Sequence, residues 1–225
     1  MKRRISTAIV VASVCFGGSA LVAASNFWDA KPYAEWSPKE LETMLTDSPW
    51  VRKLSVVVQS APRATEDAGG GGRGGGGGGD TGGRGFPVPA PQLKLTLTWR
   101  SALPVRQALA RSGNVPATPG APALLDPPQH YLLTLSGVPA RFQRLVPSAV
   151  KTSFLKRGSK APIALLQGGI QQDDGGLLTL IFAFPRTDPI VLDDKEVEFV
   201  TAIGTLEVKH KFKLKDLIFN SQLDL

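Results

Sequence analysis

The chain has 225 residues, 42% of them apolar and 20% charged, with 26 Lys and Arg against 19 Asp and Glu. This composition supports a buried core and excludes a wholly disordered polypeptide. A single Cys excludes a disulfide framework, and two His beside it argue against a zinc site built on His and Cys.

Met1-Lys-Arg-Arg4 is a short basic segment, Ile5 to Ala24 is apolar and free of charge, and Val22-Ala23-Ala24 closes the run with small residues. This layout predicts a secretory signal over residues 1–24 and a periplasmic or extracellular destination. An uncleaved anchor in the inner membrane is the alternative, because the run is long enough for a membrane helix. Gly17 and Gly18 weaken such a helix, and Val14 ahead of Cys15 does not fit a lipidation signal. Cleavage would remove the one Cys together with Lys2, Arg3 and Arg4, lowering the net charge from +7 to +4. A surface at +4 lacks a strong nucleic-acid footprint.

Trp36-Ser37-Pro38-Lys39-Glu40-Leu41 is the most specific local pattern. Ser37 is placed to cap a helix, Pro38 fits its first turn and Glu40 completes a capping box. Trp36 and Leu41 match a hydrophobic staple; Leu41, Met44 and Leu45 share a face, and Asp47-Ser48-Pro49 ends the helix. Trp28, Trp36 and Trp50 are candidates for aromatic contact with a ligand. The large apolar area of each ring favours stapling this helix onto the fold instead.

Arg52 to Val58 reads as a strand whose partner is Leu93 to Trp99. There Leu93, Leu95, Leu97 and Trp99 alternate with Lys94, Thr96, Thr98 and Arg100, which predicts one buried and one wet face. Residues 60–92 connect the two and include 13 Gly between Gly69 and Gly85. Such a tract predicts a flexible loop. It contains no Lys and leads into no helix, so it is not a phosphate-binding loop. Its two Arg, Arg73 and Arg84, are too few for an RNA-binding Arg-Gly segment.

A short helix is expected from Ser101 to Arg111, followed by an irregular stretch over 113–129 with five Pro. Tyr131 to Leu135 is a strand, and Pro139 to Val146 a helical turn with Phe142, Leu145 and Val146 inward. Lys151 to Leu155 and Ile163 to Gln167 form a strand pair around a basic turn, Lys156 to Lys160. Gln171 to Gly176 turns into Leu177 to Phe184, an apolar run expected to be a central strand. The last hairpin joins Val197–Ile203 to Leu206–Leu214 around Gly204. In it Leu206, Val208, His210, Phe212 and Leu214 face inward, while Glu207, Lys209, Lys211, Lys213 and Lys215 face outward. Asp216 to Phe219 is expected to close the sheet. The fold class is therefore α+β, mainly β: a single antiparallel-rich sheet or a β-sandwich-like domain with a short N-terminal helix. Its parts are a signal over 1–24, helix and first strand over 25–59, the Gly-rich loop over 60–92, and the rest of one domain over 93–225.

Lys209, Lys211, Lys213 and Lys215 are candidates for binding an anionic surface, although ion pairs with Glu196, Glu198 and Glu207 explain the stripe more simply. His210 among apolar neighbours and His130 beside two Pro lack the surroundings of a catalytic triad. Asp173-Asp174 and Asp193-Asp194 adjoin turn signals, where Asp serves the backbone. No catalytic, metal or cofactor-binding residue is assigned.

Two segments carry a resemblance. Trp36-Ser-Pro-Lys-Glu with Met44-Leu-x-x-Ser48-Pro-Trp50, and Val197-Glu-Phe-x-Thr-x-Ile-Gly204 with Lys211-Phe-Lys-Leu-Lys-Asp-Leu217, are similar to a group of exported bacterial proteins of unknown function. The resemblance implies export and a β-rich domain, and it supplies no catalytic residues. The expected function is that of a non-catalytic envelope or extracellular protein acting by binding or assembly. Its expected partner is an envelope protein or the anionic envelope surface. The alternative is an exported hydrolase, acting on polysaccharide through scattered Asp and Glu.

Overall fold

Ser37 does cap a helix. In the computed structural model, which describes residues 26–58, 92–113 and 128–225, its backbone N–H and hydroxyl both donate to Glu40 Oε2 at 2.7 Å. The predicted leader, the Gly69–Gly85 tract and most of the Pro-rich stretch lie outside the described residues. A single helical turn, α1 (Phe27–Ala30), precedes the capped helix α2 (Pro38–Thr46). Met44 is fully buried, with Leu41 and Leu45 packed beside it.

The strand β1 (Val51–Val57) pairs antiparallel with β2 (Gln92–Trp99), placing Leu54 opposite Leu95. Helix α3 (Leu103–Ser112) follows, then β3 (His130–Pro139), α4 (Val146–Thr152), β4 (Phe154–Arg157) and β5 (Lys160–Ala164). Next come β6 (Gln167–Gln172), β7 (Leu177–Pro185), β8 (Glu196–Ile203), β9 (Leu206–Lys213) and a small ribbon, β10 (Ile218–Phe219) with β11 (Gln222–Leu223).

These strands form two antiparallel sheets, ordered β1-β2-β3-β7-β6 and β5-β4-β8-β9. Alternation sends the apolar sets of both into one core. Phe199 on β8 makes edge-to-face contacts with Phe182 and Phe184 on β7, at centroid distances of 5.0 and 6.3 Å. Trp99 on β2 meets Phe212 on β9 at 5.6 Å. The fold is thus α+β and mainly β, in the sandwich-like form. The chain crosses between sheets after β5, where Leu165 donates to Ser153 in one layer and Leu166 to Ala183 in the other. Gly137, at φ 88°, lies where the β3–β7 register shifts between Ser136 and Val138. A Cβ there would meet the Lys94 carbonyl at 2.7 Å.

Four expectations are corrected. Lys151 and Thr152 end α4 and are not strand, because Pro147 starts a helix early in that segment. Leu145 is not inward: it is 40% exposed and covers Gly204. Arg157 does not sit in an exposed basic turn but is 1% exposed; it pairs with Asp188 at 2.6 Å and donates to the Ala161 carbonyl. The segment Asp216 to Phe219 joins neither main sheet, because β10 turns back onto β11 through Asn220 and Ser221, both at positive φ.

Phe199→Ala should lower the unfolding free energy by about 3–5 kcal/mol in urea denaturation, because the cavity would lie between the sheets. The capping box should also be readable in pH. Glu40 is lowered from an ordinary 4.5 to about 2, first by its hydrogen bond from Lys31 and then by those from Ser37. A depressed carboxylate contributes stability above its unfolded value and loses it as pH falls through its folded one. Stability should therefore decline as pH drops from about 4.5 toward about 2, and Glu40→Gln should flatten that part of the profile.

Candidate functional site

The alternation that buries Leu95, Leu97 and Trp99 turns Thr96, Thr98 and Arg100 to the outer face of β2. Strand register extends this face sideways. Lys53 of β1 lies opposite Thr96, Thr96 opposite Ser136, and Thr98 opposite Thr134. On a bare sheet these side chains would simply be wet.

Here two helices cover them. Helix α3 is anchored at its start by Asp224, whose carboxylate accepts from Leu103 N–H at 2.8 Å, and by Arg106 N–H donating to the Ala102 carbonyl. At its end Arg111 donates to the carbonyls of Tyr33, Ala34 and Trp36, which ties α3 to the turn ahead of α2. Leu45 and Thr46 of α2 and Val105 and Leu109 of α3 complete a groove of about 330 Å³ over the threonine face.

Its electrostatics are one-sided, since the lining carries Lys53 and Arg100 and no carboxylate. Arg100 is half-buried, and burial pushes its guanidinium below the ordinary value. Among the described residues its side chain has neither an ion pair nor a hydrogen bond, whereas Arg157 and Arg186 both have acceptors. The hydroxyls of Thr96, Thr98 and Thr134 are likewise uncommitted; Ser136 only accepts one bond, from Thr179 at 2.9 Å. The alternation alone predicts a solvated row here. The signal was an Arg ending a run of threonines, and its meaning depended on what lies above.

Two of the four stripe lysines are held in ion pairs. Lys209 pairs with Glu207 at 2.6 Å and Lys211 with Glu196 at 2.7 Å, and these partners raise both lysines. Lys213 ends β9, while Lys215 lies in the following 3₁₀ turn, outside the strand's alternating row. The aromatic candidates are dispersed in function. Trp36 and Trp50 are 1% and 0% exposed, and Trp50 donates from Nε1 to the Asp224 carbonyl at 2.8 Å. Trp28 borders a groove of about 430 Å³, shared with Tyr33, Gln107 and Phe219.

His210 lies half-buried in a shallow cleft where β1 meets β9, and its Nε2 has no hydrogen-bond partner among the described residues. Burial first, and the Arg52 charge second, hold its imidazole below the ordinary value. His130 starts β3 opposite Pro185. Asp173 accepts from Leu177 N–H at 2.7 Å, and Asp194 binds Lys160 at 2.6 Å and Val191 N–H at 3.0 Å, so each acidic pair supplies a residue that holds local structure. Among the described residues, no cluster of three or more His, Cys, Asp or Glu side chains forms a metal site, and no helix is long and apolar enough to cross a membrane.

No protein-family model matches the chain, and no curated protein or solved structure matches it.

Ion pairing sets the expectation for the stripe. The protein should adsorb weakly to phosphatidylglycerol vesicles. Joint Glu196→Gln and Glu207→Gln substitution should raise adsorption several-fold at low salt, with the gain disappearing as ionic strength rises. Vesicle sedimentation measures both.

Proposed function

We propose that the protein is an exported, non-catalytic protein of the cell envelope or extracellular space that acts by binding or assembly. The groove under α2 and α3 carries the reading. It presents two cations and several free hydroxyls in an open concavity beside aliphatic side chains. A threonine or serine hydroxyl becomes a nucleophile when a neighbouring base takes its proton. Cations beside these hydroxyls instead suit retention of a ligand. The apolar run at residues 5–24, and the likeness of both ends of the chain to exported bacterial proteins, support the location.

The test is fractionation of expressing cells with sequencing of the mature N-terminus, followed by co-sedimentation of the purified protein with isolated envelopes. The expected result is an exported form starting near Ser25 that sediments with the envelope and releases no new reducing ends. An intact leader on a cytosolic protein would overturn the location, and newly released reducing ends would establish the hydrolase.

A further inference from the structure

A half-buried guanidinium without a counter-charge is costly, because it has lost part of its hydration and gained no partner. Arg157 shows how the fold can meet that cost, with an acidic side chain and carbonyls around the head group. Among the described residues Arg100 lacks that solution. The same groove is lined by a second cation, Lys53, across from Thr96, and by hydroxyls from two neighbouring strands, with no acid in the lining to neutralise either charge.

We infer that this groove binds a phosphate-type oxyanion, held by Arg100 and Lys53 and hydrogen-bonded by Thr96, Thr98, Thr134 and Ser136. The inference rests on the reading of the groove as a binding surface. Arg supplies a planar fork and Lys a movable point charge, a combination suited to phosphate oxygens. A carboxylate would be satisfied by the fork alone. The hydroxyls offer donors from further directions, matching the larger number of acceptor oxygens on phosphate. The groove, at about 330 Å³, has room for an esterified organic group as well as the anion. The lowered affinity of Arg100 for its proton has the sign expected of a cation short of a counter-charge.

The purified protein should be titrated with inorganic phosphate and with glycerol 3-phosphate, against chloride at matched ionic strength. Either phosphate should raise the thermal midpoint by about 3 °C at ten times its Kd, and chloride should not. Stronger binding of glycerol 3-phosphate would assign the oxyanion to a lipid or polymer headgroup, and stronger binding of inorganic phosphate to the free ion. Arg100→Gln should weaken binding at least tenfold, while Lys151→Gln, at an exposed residue outside the groove, should leave it unchanged. If Arg100→Gln does not fold, the double variant Lys53→Gln, Thr98→Val with a native circular dichroism spectrum should weaken binding several-fold. Phosphate acting no more strongly than chloride, or folded groove variants that bind with native affinity, would overturn the inference. Phosphate binding without envelope co-sedimentation would retain the site and retire the envelope role; envelope co-sedimentation without phosphate binding would do the reverse.

Discussion

The structure depends on the contact between the inner faces of its two sheets. Phe199 stands between Phe182 and Phe184, and Trp99 against Phe212, so rings from β8 and β9 lock onto rings from β7 and β2. Edge-to-face packing of this kind adds about 0.5–1.5 kcal/mol per pair to the burial of the rings themselves. Because strand side chains alternate, this commitment determines what faces outward. Everything opposite the core, from the lysines of β9 to the threonines of β2, follows from it.

A second cluster gathers distant parts of the chain at the end of the sandwich. Trp50 contacts Trp28 and Phe219 edge-to-face and donates to the Asp224 carbonyl, while the Asp224 carboxylate accepts from the first residue of α3. Burial raises the Asp224 carboxyl, against the hydrogen bond from Leu103 and the charges of Arg106 and Arg186. Through these bonds the aromatic segment before β1 and the last residues hold α3 over the sheet. The helices thereby give a polar sheet face a roof, and a solvated row becomes a groove with a partly desolvated cation in it. Binding chemistry here arises from packing around ordinary strand residues.

Charge follows the same logic of surroundings. Arg157 belongs to a run of basic residues that looks like a surface turn, yet its alternation on β4 buries its side chain, and its head group is met by backbone carbonyls and by the exposed carboxylate of Asp188. The lysines of β9 look like a basic patch in one dimension, yet Glu207 and Glu196 pair with two of the three, Lys209 and Lys211. Arg100 attracts no notice in the chain and proves to be a cation facing a groove, with no paired acid among the described residues.

Local rules sufficed wherever the determining groups are neighbours in the chain. The Ser37–Glu40 box, the β1–β2 pairing, and the inward and outward rows of β9 were legible because capping and strand alternation act over a few residues. The division into two sheets, the burial of Arg157, the separation of the terminal ribbon and the roof over Thr96, Thr98 and Arg100 were not. Each depends on which surfaces meet after the chain has folded back, through contacts between residues tens of positions apart. A sequence specifies the faces its strands present, but the hydration of a charge on a face depends on whatever packs above it.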